Sequence, residues 1–379
     1  MAAGTYRYLF ADLVTNATLC ELPLKGVTFE SRLNEVGSLT GHISISDPQV
    51  AKLQPWTQTP GGRTALYVDR GGRIVWGGIV VTRRYTQAGA AGGGLRPGLE
   101  FGASEFAWYF SKRIITADAV FSAAEQMTIP TSLINTAQAV RNGNIGVNVP
   151  SFPASGVTRT QTWHGYERKP VLQAIQDMAQ LDRGFDWQIQ VDYGAGGAGA
   201  GIPGKQLALG YPRLGNPFTT SGWMFEFPGN IVDYSWSEDS SLQAVTAYIQ
   251  GSGTGTLMVA SSNSVTGLLD AGYPQLDQVF QAKDQTDPSL IAARAVATAK
   301  AYSSPVILLT LMVRADLDPV LGSYAVGDDA NIRITSPQWP AVAPSVGYDV
   351  FWRIIGIRVQ PQDDGAPERV WLTLGAIPS

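Results

Sequence analysis

Four pairs of nearby acids could do chemistry in this sequence: Glu238-Asp239, Asp316 with Asp318, Asp328-Asp329 and Asp363-Asp364. Two carboxyls held about 5–10 Å apart around a sugar can hydrolyse a glycosidic bond. Adjacent residues of a strand point to opposite faces, however, and these pairs lie in turn-like sequence, so solvated turns are the expected reading. The two histidines and the single cysteine, Cys20, are too few for a disulfide within the chain or a Cys-rich metal site, and they leave little for zinc or a His-based triad. His42 alternates with Ser44 and reads as a surface residue. His164 lies among aromatics in Thr162-Trp163-His164-Gly165-Tyr166, with Glu167 the nearest acid, and reads as packing rather than catalysis. A Gly-x-Ser-x-Gly nucleophile elbow is missing. Gly204-Lys205 is followed by Gln206, where a P-loop needs Ser or Thr to hold magnesium. No catalytic residue, metal or cofactor is expected.

The elements that would position these residues are mostly strands. The 379 residues are enough for two or three domains, and 44% hydrophobic content with 10% aromatic residues supports a large core. A charged content of 15% and a net charge of −4 argue against a nucleic-acid-binding surface. The sequence has no apolar run of about 18 residues and no signal-peptide pattern, so synthesis in a cytoplasm without a membrane span is expected. Period-two alternation marks strands at 6–13, 39–46, 64–69, 73–83 and 99–110. Arg70-Gly71-Gly72 reads as a hairpin turn, and 87–98 as a flexible glycine-rich tip. The middle is α/β. Residues 170–182 form an amphipathic helix with Val171, Leu172, Ile175, Met178 and Ala179 on one face. A strand at 185–193 follows, with Trp187, Ile189 and Val191 inward, and a second glycine run, 194–204, joins it to 206–211 in a long hairpin. Asp287-Pro288 opens a helix that runs to about Tyr302, and strands follow at 306–314, 331–335, 348–360 and 368–376. Trp76, Trp187, Trp236, Trp352 and Trp371 fall in these strands, which favours core or subunit interface over a sugar platform.

The first and last thirds share an order of parts. Residues 27–46 and 231–251 each run from a short apolar strand through a polar turn ending in Ser-Leu to an alternating strand. GGRTALYVD is echoed by GDDANIRIT, RIVWGGIVV by FWRIIGIRV with Gly78-Ile79 matching Gly356-Ile357, and GLEFGA by VWLTLGA. The last third has an extra stretch, about 252–311, that holds the later helix. A ring of three chains, each with two copies of one fold, presents six similar units and suits a threefold-to-sixfold adaptor. The glycine tips, represented by Gly92, Gly93, Gly94, Gly197 and Gly199, are candidate assembly loops that would order against a neighbouring protein.

The opening YRYLFADLVTN…LCELPLKGVTFESRLNEVGSLTGHISI, the stretch GGRTALYVDRGGRIVWGGIV and the segment RKPVLQAIQDMAQLDRGFDWQI resemble minor tail proteins of siphophages that infect actinobacteria, of the baseplate or tail-tip hub family. The resemblance covers most of the chain. It implies a mainly β fold with two tube-like β-barrel domains, 1–112 and 229–379, flanking an α/β middle domain at 113–228. It implies a homotrimeric, pseudo-sixfold ring at the distal end of the tail in the virion. The implied partners are a distal tail protein or tail-tube ring, the tape measure protein and other minor tail proteins, with DNA passing and not bound specifically. On that reading Asp328, Asp329, Asp363 and Asp364 are candidate lumen-facing acids, because like charge keeps DNA from sticking. No appended lysozyme or peptidase domain is seen. The rival readings are a tail-associated wall glycosidase using one acid pair, a glycan-binding receptor module, and the spike base of a secretion or contractile system.

Overall fold

Strand-period alternation turns directly into one large sheet. The computed structural model describes residues 5–89, 95–199, 201–283, 285–342, 347–363 and 365–377. The first third supplies β1 (Tyr6–Asp12), β2 (Thr18–Glu21), β3 (Lys25–Arg32), β4 (Ser38–Ser44), β5 (Thr64–Arg70), β6 (Arg73–Gly89) and β7 (Leu95–Glu105). In β4 the residues Leu39, Gly41 and Ile43 are buried while Ser38, Thr40, His42 and Ser44 face out, as period two requires. The β5–β6 turn uses positive φ at both Gly71 and Gly72, which side chains rarely adopt. β6 and β7 stay paired out to Gly89 opposite Leu95, so the expected tip at 87–98 is mostly ladder. Gly92, Gly93 and Gly94 lie outside the described residues.

The middle third holds β8 (Ala119–Glu125), β9 (Val147–Asn148), β10 (Thr158–Trp163), β11 (Asp186–Tyr193) and β12 (Pro203–Gly210), with helices Thr128–Gln138 and Val171–Ala179. β8 pairs β10, and β12 pairs β11 and β9. The Val171–Ala179 helix buries Val171, Leu172, Ile175 and Met178, the stripe its spacing predicts.

The last third holds β13 (Trp223–Phe227), β14 (Ile231–Asp239), β15 (Thr246–Gln250), β16 (Ala260–Ser264), β17 (Asp277–Gln281), β18 (Val306–Val313), β19 (Asp329–Ile334), β20 (Tyr348–Gln360) and β21 (Arg369–Gly375). The strand after Ser241-Leu242 is β15, which joins β16 and β17 in a separate small sheet under helix Pro288–Ala301. The partner that β14 takes in the large sheet is β18.

The large sheet has 13 strands, in the order β14-β18-β21-β20-β3-β4-β7-β6-β5-β1-β2, with β19 on β20 and β13 on β19. Two ladders within it follow one antiparallel pattern. β3 pairs β4, β4 pairs β7, β7 pairs β6 and β6 pairs β5. β14 pairs β18, β18 pairs β21, β21 pairs β20 and β20 pairs β19. Each long strand also carries a bulge against its partner, between Val80 and Thr82 in β6 and between Ile354 and Gly356 in β20. The bulges set Thr82 beside Gly356 in the comparison. The glycine echo of Gly78 with Gly356 is therefore four residues out of register, and the two glycines do different local work. A Cβ at Gly78 would lie 2.3 Å from the Ser104 carbonyl oxygen.

The sheets do not close into barrels, contrary to the expectation of two tube-like β-barrel domains. The physical reason is the seam. β20 uses Gly356–Val359 to pair with β3 at Phe29–Arg32, so the two ladders run into one another. A single apolar core beneath them includes Phe10, Phe29, Leu39 and Trp76 from one side and Leu309, Ile332, Ile354 and Leu372 from the other. A second core, with Tyr67, Phe106, Ile129, Ile175 and Trp187, ties the first ladder to the middle. The small sheet has its own core of Ile249, Ala282, Ile291 and Ala295.

Candidate functional site

Of the acids expected to line a lumen, Asp328 and Asp329 are bound within the chain. Asp328 and Asp329 are 2% and 3% exposed. Asp328 accepts hydrogen bonds from the Asn216 backbone N–H (2.8 Å), the Asn216 amide (3.1 Å), the Ala325 N–H (3.0 Å) and the Trp223 indole (3.2 Å). Asp329 takes Arg213 at 2.5 Å and the Phe218 N–H at 3.3 Å. Both carboxylates hold the 213–223 segment against the start of β19; neither faces a channel from this chain. Asp363 is half-buried and accepts from the Gly26 N–H at 2.5 Å. Asp364 lies outside the described residues. Gly197 and Gly199 sit at positive φ in the β11–β12 connection, and a Cβ on Gly197 would meet nothing.

The other reactive candidates are also accounted for. Asp316 pairs with Arg314 at 2.7 Å, which holds its carboxyl below the usual range. His42 is exposed. His164 is partnered by an acid remote in sequence: its Nδ1 lies 3.1 Å from Asp118 Oδ2, and its ring stacks on Tyr166 at 5.0 Å. Burial pushes the Cys20 thiol up to about 11, which suppresses the thiolate. Glu238-Asp239 alone among the acid pairs ends an exposed strand with no ion-pair partner among the described residues. Among those residues there is also no cluster of three metal-ligating side chains, and no helix is long and apolar enough to cross a membrane.

The most connected polar groups lie where the three thirds meet, and sequence reading passed over them. Alternation with the inward Trp187 and Ile189 would set Asp186 on the outer row of its strand, yet it is buried. Its Oδ1 accepts from the Asn34 amide (2.7 Å), and its Oδ2 from the Leu214 N–H (2.9 Å) and from the Arg353 guanidinium. Arg353 also donates to the Gly327 (3.0 Å) and Leu214 carbonyls. Asn34 accepts in turn from the Trp187 N–H at 2.7 Å. One buried node thus joins a turn of the first third, a strand of the middle and β20. The available signal was Arg353 itself, the one cation in the apolar run FWRIIGI, which demanded a buried acid. A second lock places the Arg70 guanidinium on both oxygens of Glu368 at 2.8 Å, with the Tyr6 hydroxyl donating to the same carboxylate. Fork-to-fork pairing fixes orientation as well as distance.

A cleft of about 390 Å³ opens beside this seam, lined by Ser31, Trp76, Glu105, Gln188, Gln206 and Tyr324 among others. Burial raises the Glu105 carboxyl to about 7, the behaviour sought in a catalytic acid. Its oxygens are nevertheless committed, one to the Ser31 hydroxyl (2.6 Å) and one to the Gly37 N–H (2.7 Å), so it secures the β3–β4 turn. Nearby, Lys205 is buried, donates to the Ile145 carbonyl at 2.7 Å and sits 4.7 Å from the centre of the Phe106 ring. Burial lowers it to about 8. What the junction does physically is fasten the three thirds of the chain to one another.

No family profile matches the sequence, and no curated protein matches it. The fold has solved counterparts. The 43 kDa tail protein of prophage MuSo2 from Shewanella oneidensis superposes with a TM-score of 0.58 at 11% identity, over 98% of each chain. A tail protein from Neisseria meningitidis MC58 gives 0.58 at 12% identity, over 97% of this chain and 96% of that one. Prophage tail protein gp18 from Listeria monocytogenes gives 0.51 at 12% identity, over 97% and 94%. Over nearly its whole length, this chain has the fold of prophage tail proteins.

Proposed function

We propose that this chain is a structural hub at the distal tip of a long, non-contractile bacteriophage tail, with no chemistry of its own. Three copies would form a pseudo-sixfold ring that adapts the tail tube to the tip. The ring would hold a distal tail or tube protein, the tape measure protein and other minor tail proteins, and would let DNA pass unbound. The observation that carries this reading is the pair of ladders with one pairing order and one bulge position, fused edge to edge at the β20–β3 seam. A chain that already contains one copy of a ring contact needs only a second contact like it to continue the ring. The fold shared with prophage tail proteins supports the same setting. We keep the division into 1–112, 113–228 and 229–379 as a proposal, with the small β15–β17 sheet and helix Pro288–Ala301 as an insertion between β14 and β18. The glycine connection at Gly197 and Gly199 remains a proposed assembly loop.

The test is a cryo-EM map of intact tail tips with this chain traced and its copies counted. Three copies around the tube axis, each giving two ladders, are expected. One copy, or copies off the axis, would overturn the hub reading and bring the glycan-binding or glycosidase readings forward.

A further inference from the structure

The seam within the chain can be read as a template for a contact the chain leaves open. At the seam, Gly356 of β20 stands opposite Arg32, Ile357 opposite Ser31, Arg358 opposite Glu30 and Val359 opposite Phe29. In the first ladder the bulge makes Thr82, Arg83, Arg84 and Tyr85 of β6 the counterparts of those four β20 residues. β5 pairs with β6 only as far as Ile79, and the Gly62 N–H occupies the Val80 carbonyl, so the same edge of β6 is free from Thr82 onward among the described residues. In the last ladder, the pairings of β14 with β18 and of β18 with β21 make Trp236, Ser237, Glu238 and Asp239 the counterparts of Phe29, Glu30, Ser31 and Arg32. Among the described residues β14 pairs with β18 alone, so its second edge is free there as well. The template has thus been used once inside the chain, and both of its halves are present and unused among the described residues, one on β14, which ends the sheet, and one on the part of β6 that runs past β5.

We infer that β14 of one copy adds as a strand to the outer part of β6 of a second copy, in the register of the β20–β3 seam. This rests on the hub reading above and names its subunit contact. Transferring the register sets Thr82 opposite Asp239, Arg83 opposite Glu238, Arg84 opposite Ser237 and Tyr85 opposite Trp236. The charges are complementary: Arg83 faces Glu238 directly and Arg84 stands diagonal to Asp239, two acids with no ion-pair partner among the described residues. Arg83 now lies over the Trp56 ring, and Arg84 reaches Glu100 only at 4.0 Å. The apolar positions agree too. Val359 is fully buried at the seam, while its counterpart Tyr85 is 48% exposed and Trp236 is half-buried. Docking would cover both rings on the core side of the sheet. It would also remove two open edges, which sheet proteins otherwise have to shield. The contact is head to tail, so it continues from copy to copy until the ring closes.

The test uses full-length chain in assembled tails, with Cys20→Ser as background. Arg84→Cys with Ser237→Cys should give, on oxidation, reducible species of two and three linked chains; either cysteine alone should give none. Arg83→Glu should lower incorporation into tails at least about tenfold, and the swap Arg83→Glu with Glu238→Arg should restore it to within about twofold. Circular dichroism of each purified variant checks that the chain still folds. Three axial copies that neither cross-link nor respond to the swap would overturn this pairing and leave the hub reading standing. A chain found singly or off the axis would overturn both.

Discussion

The seam and the free edges are the same piece of backbone in two conditions. At β20–β3, Phe29 and Val359 are sealed between two ladders and share a core with residues from both. At β6 and β14 the counterparts, Tyr85 and Trp236, are an exposed ring and a half-buried one. The local sequence differs as well. The seam strands place Ile357 opposite Ser31, where the free edges carry Arg83 and Glu238. A contact made once during folding can be apolar, because it is never exposed afterwards. An edge that must stay soluble until a partner arrives is better charged. The two ladders also differ in their connections: a short turn joins β3 to β4, while β14 and β18 are separated by a whole small sheet and a helix. Pairing order is held constant and loops are free to grow, because lengthening a surface loop costs little in closure entropy.

The comparison breaks most sharply at the buried node behind the seam. Arg353→Ala leaves Asp186 as a buried carboxylate without its cation, and should destabilise the chain by about 3–5 kcal/mol in urea unfolding. A loss under about 1 kcal/mol would mean that the node does not fasten the thirds together. Next comes a matched pair of aromatic deletions. Phe29→Ala opens a cavity in the seam and should cost about 3–4 kcal/mol. Tyr85→Ala, at the corresponding contact of the free edge, should cost under about 0.5 kcal/mol in the isolated chain. Equal losses would show that the edge at Tyr85 is already packed in the isolated chain and is not free.

Glu105 gives a pH-dependent version of the same contrast, since it lies at the seam side of the cleft and has no free-edge equivalent in use. Folding raises its carboxyl from 4.5 to about 7. Below pH 4.5 folded and unfolded chains both hold the proton, and above 7 both have lost it. Between those values the folded chain binds more, so its contribution to stability falls as pH rises through that window. Glu105→Gln should abolish the fall and leave the variant more stable than its parent at pH 8 by about 1–3 kcal/mol. Parallel stability curves for the two proteins between pH 4.5 and 8 would refute this.

Legibility followed the range of the interactions. β20 was readable to the residue from its β-rich composition, and helix Pro288–Ala301 from Asp287-Pro288, because both signals are local. The Thr128–Gln138 helix was missed: it has no side-chain cap and no acid in its first turn to announce it. The echoes between the thirds pointed to the right strands for β5 with β19, β6 with β20 and β7 with β21, but glycines misplaced the register. Glycine marks tight local packing, and that changes from one ladder to the other. The acids were misread for a different reason. Nothing adjacent to Asp328-Asp329 shows that Arg213, Asn216 and Trp223, more than 100 residues earlier, will close over them. Asp186 shows the same limit, because its side-chain partners, Asn34 and Arg353, come from the first and last thirds of the chain.

The smallest expected effect tests whether the insertion stands apart from the sheet it interrupts. Asp287 caps helix Pro288–Ala301 by accepting from the Ser289 N–H and hydroxyl, each at 2.7 Å. An Asp N-cap satisfies one of the donors a helix start leaves open, so Asp287→Ala should cost about 1 kcal/mol. The helix packs on β15 and β16 through Ile291 and Ala295 and on the core of the middle third through Leu290, and it contributes nothing to the core that β3, β20 and β21 share. Hydrogen exchange should therefore quicken in the helix and in β15–β17, and stay unchanged in β3, β20 and β21. If the seam strands loosen equally, the insertion is part of the frame, and its place between β14 and β18 matters to the free edge of β14. If they do not, the chain has grown a peripheral unit at a connection that the ladder tolerates, and the edge beside it remains available for a second copy.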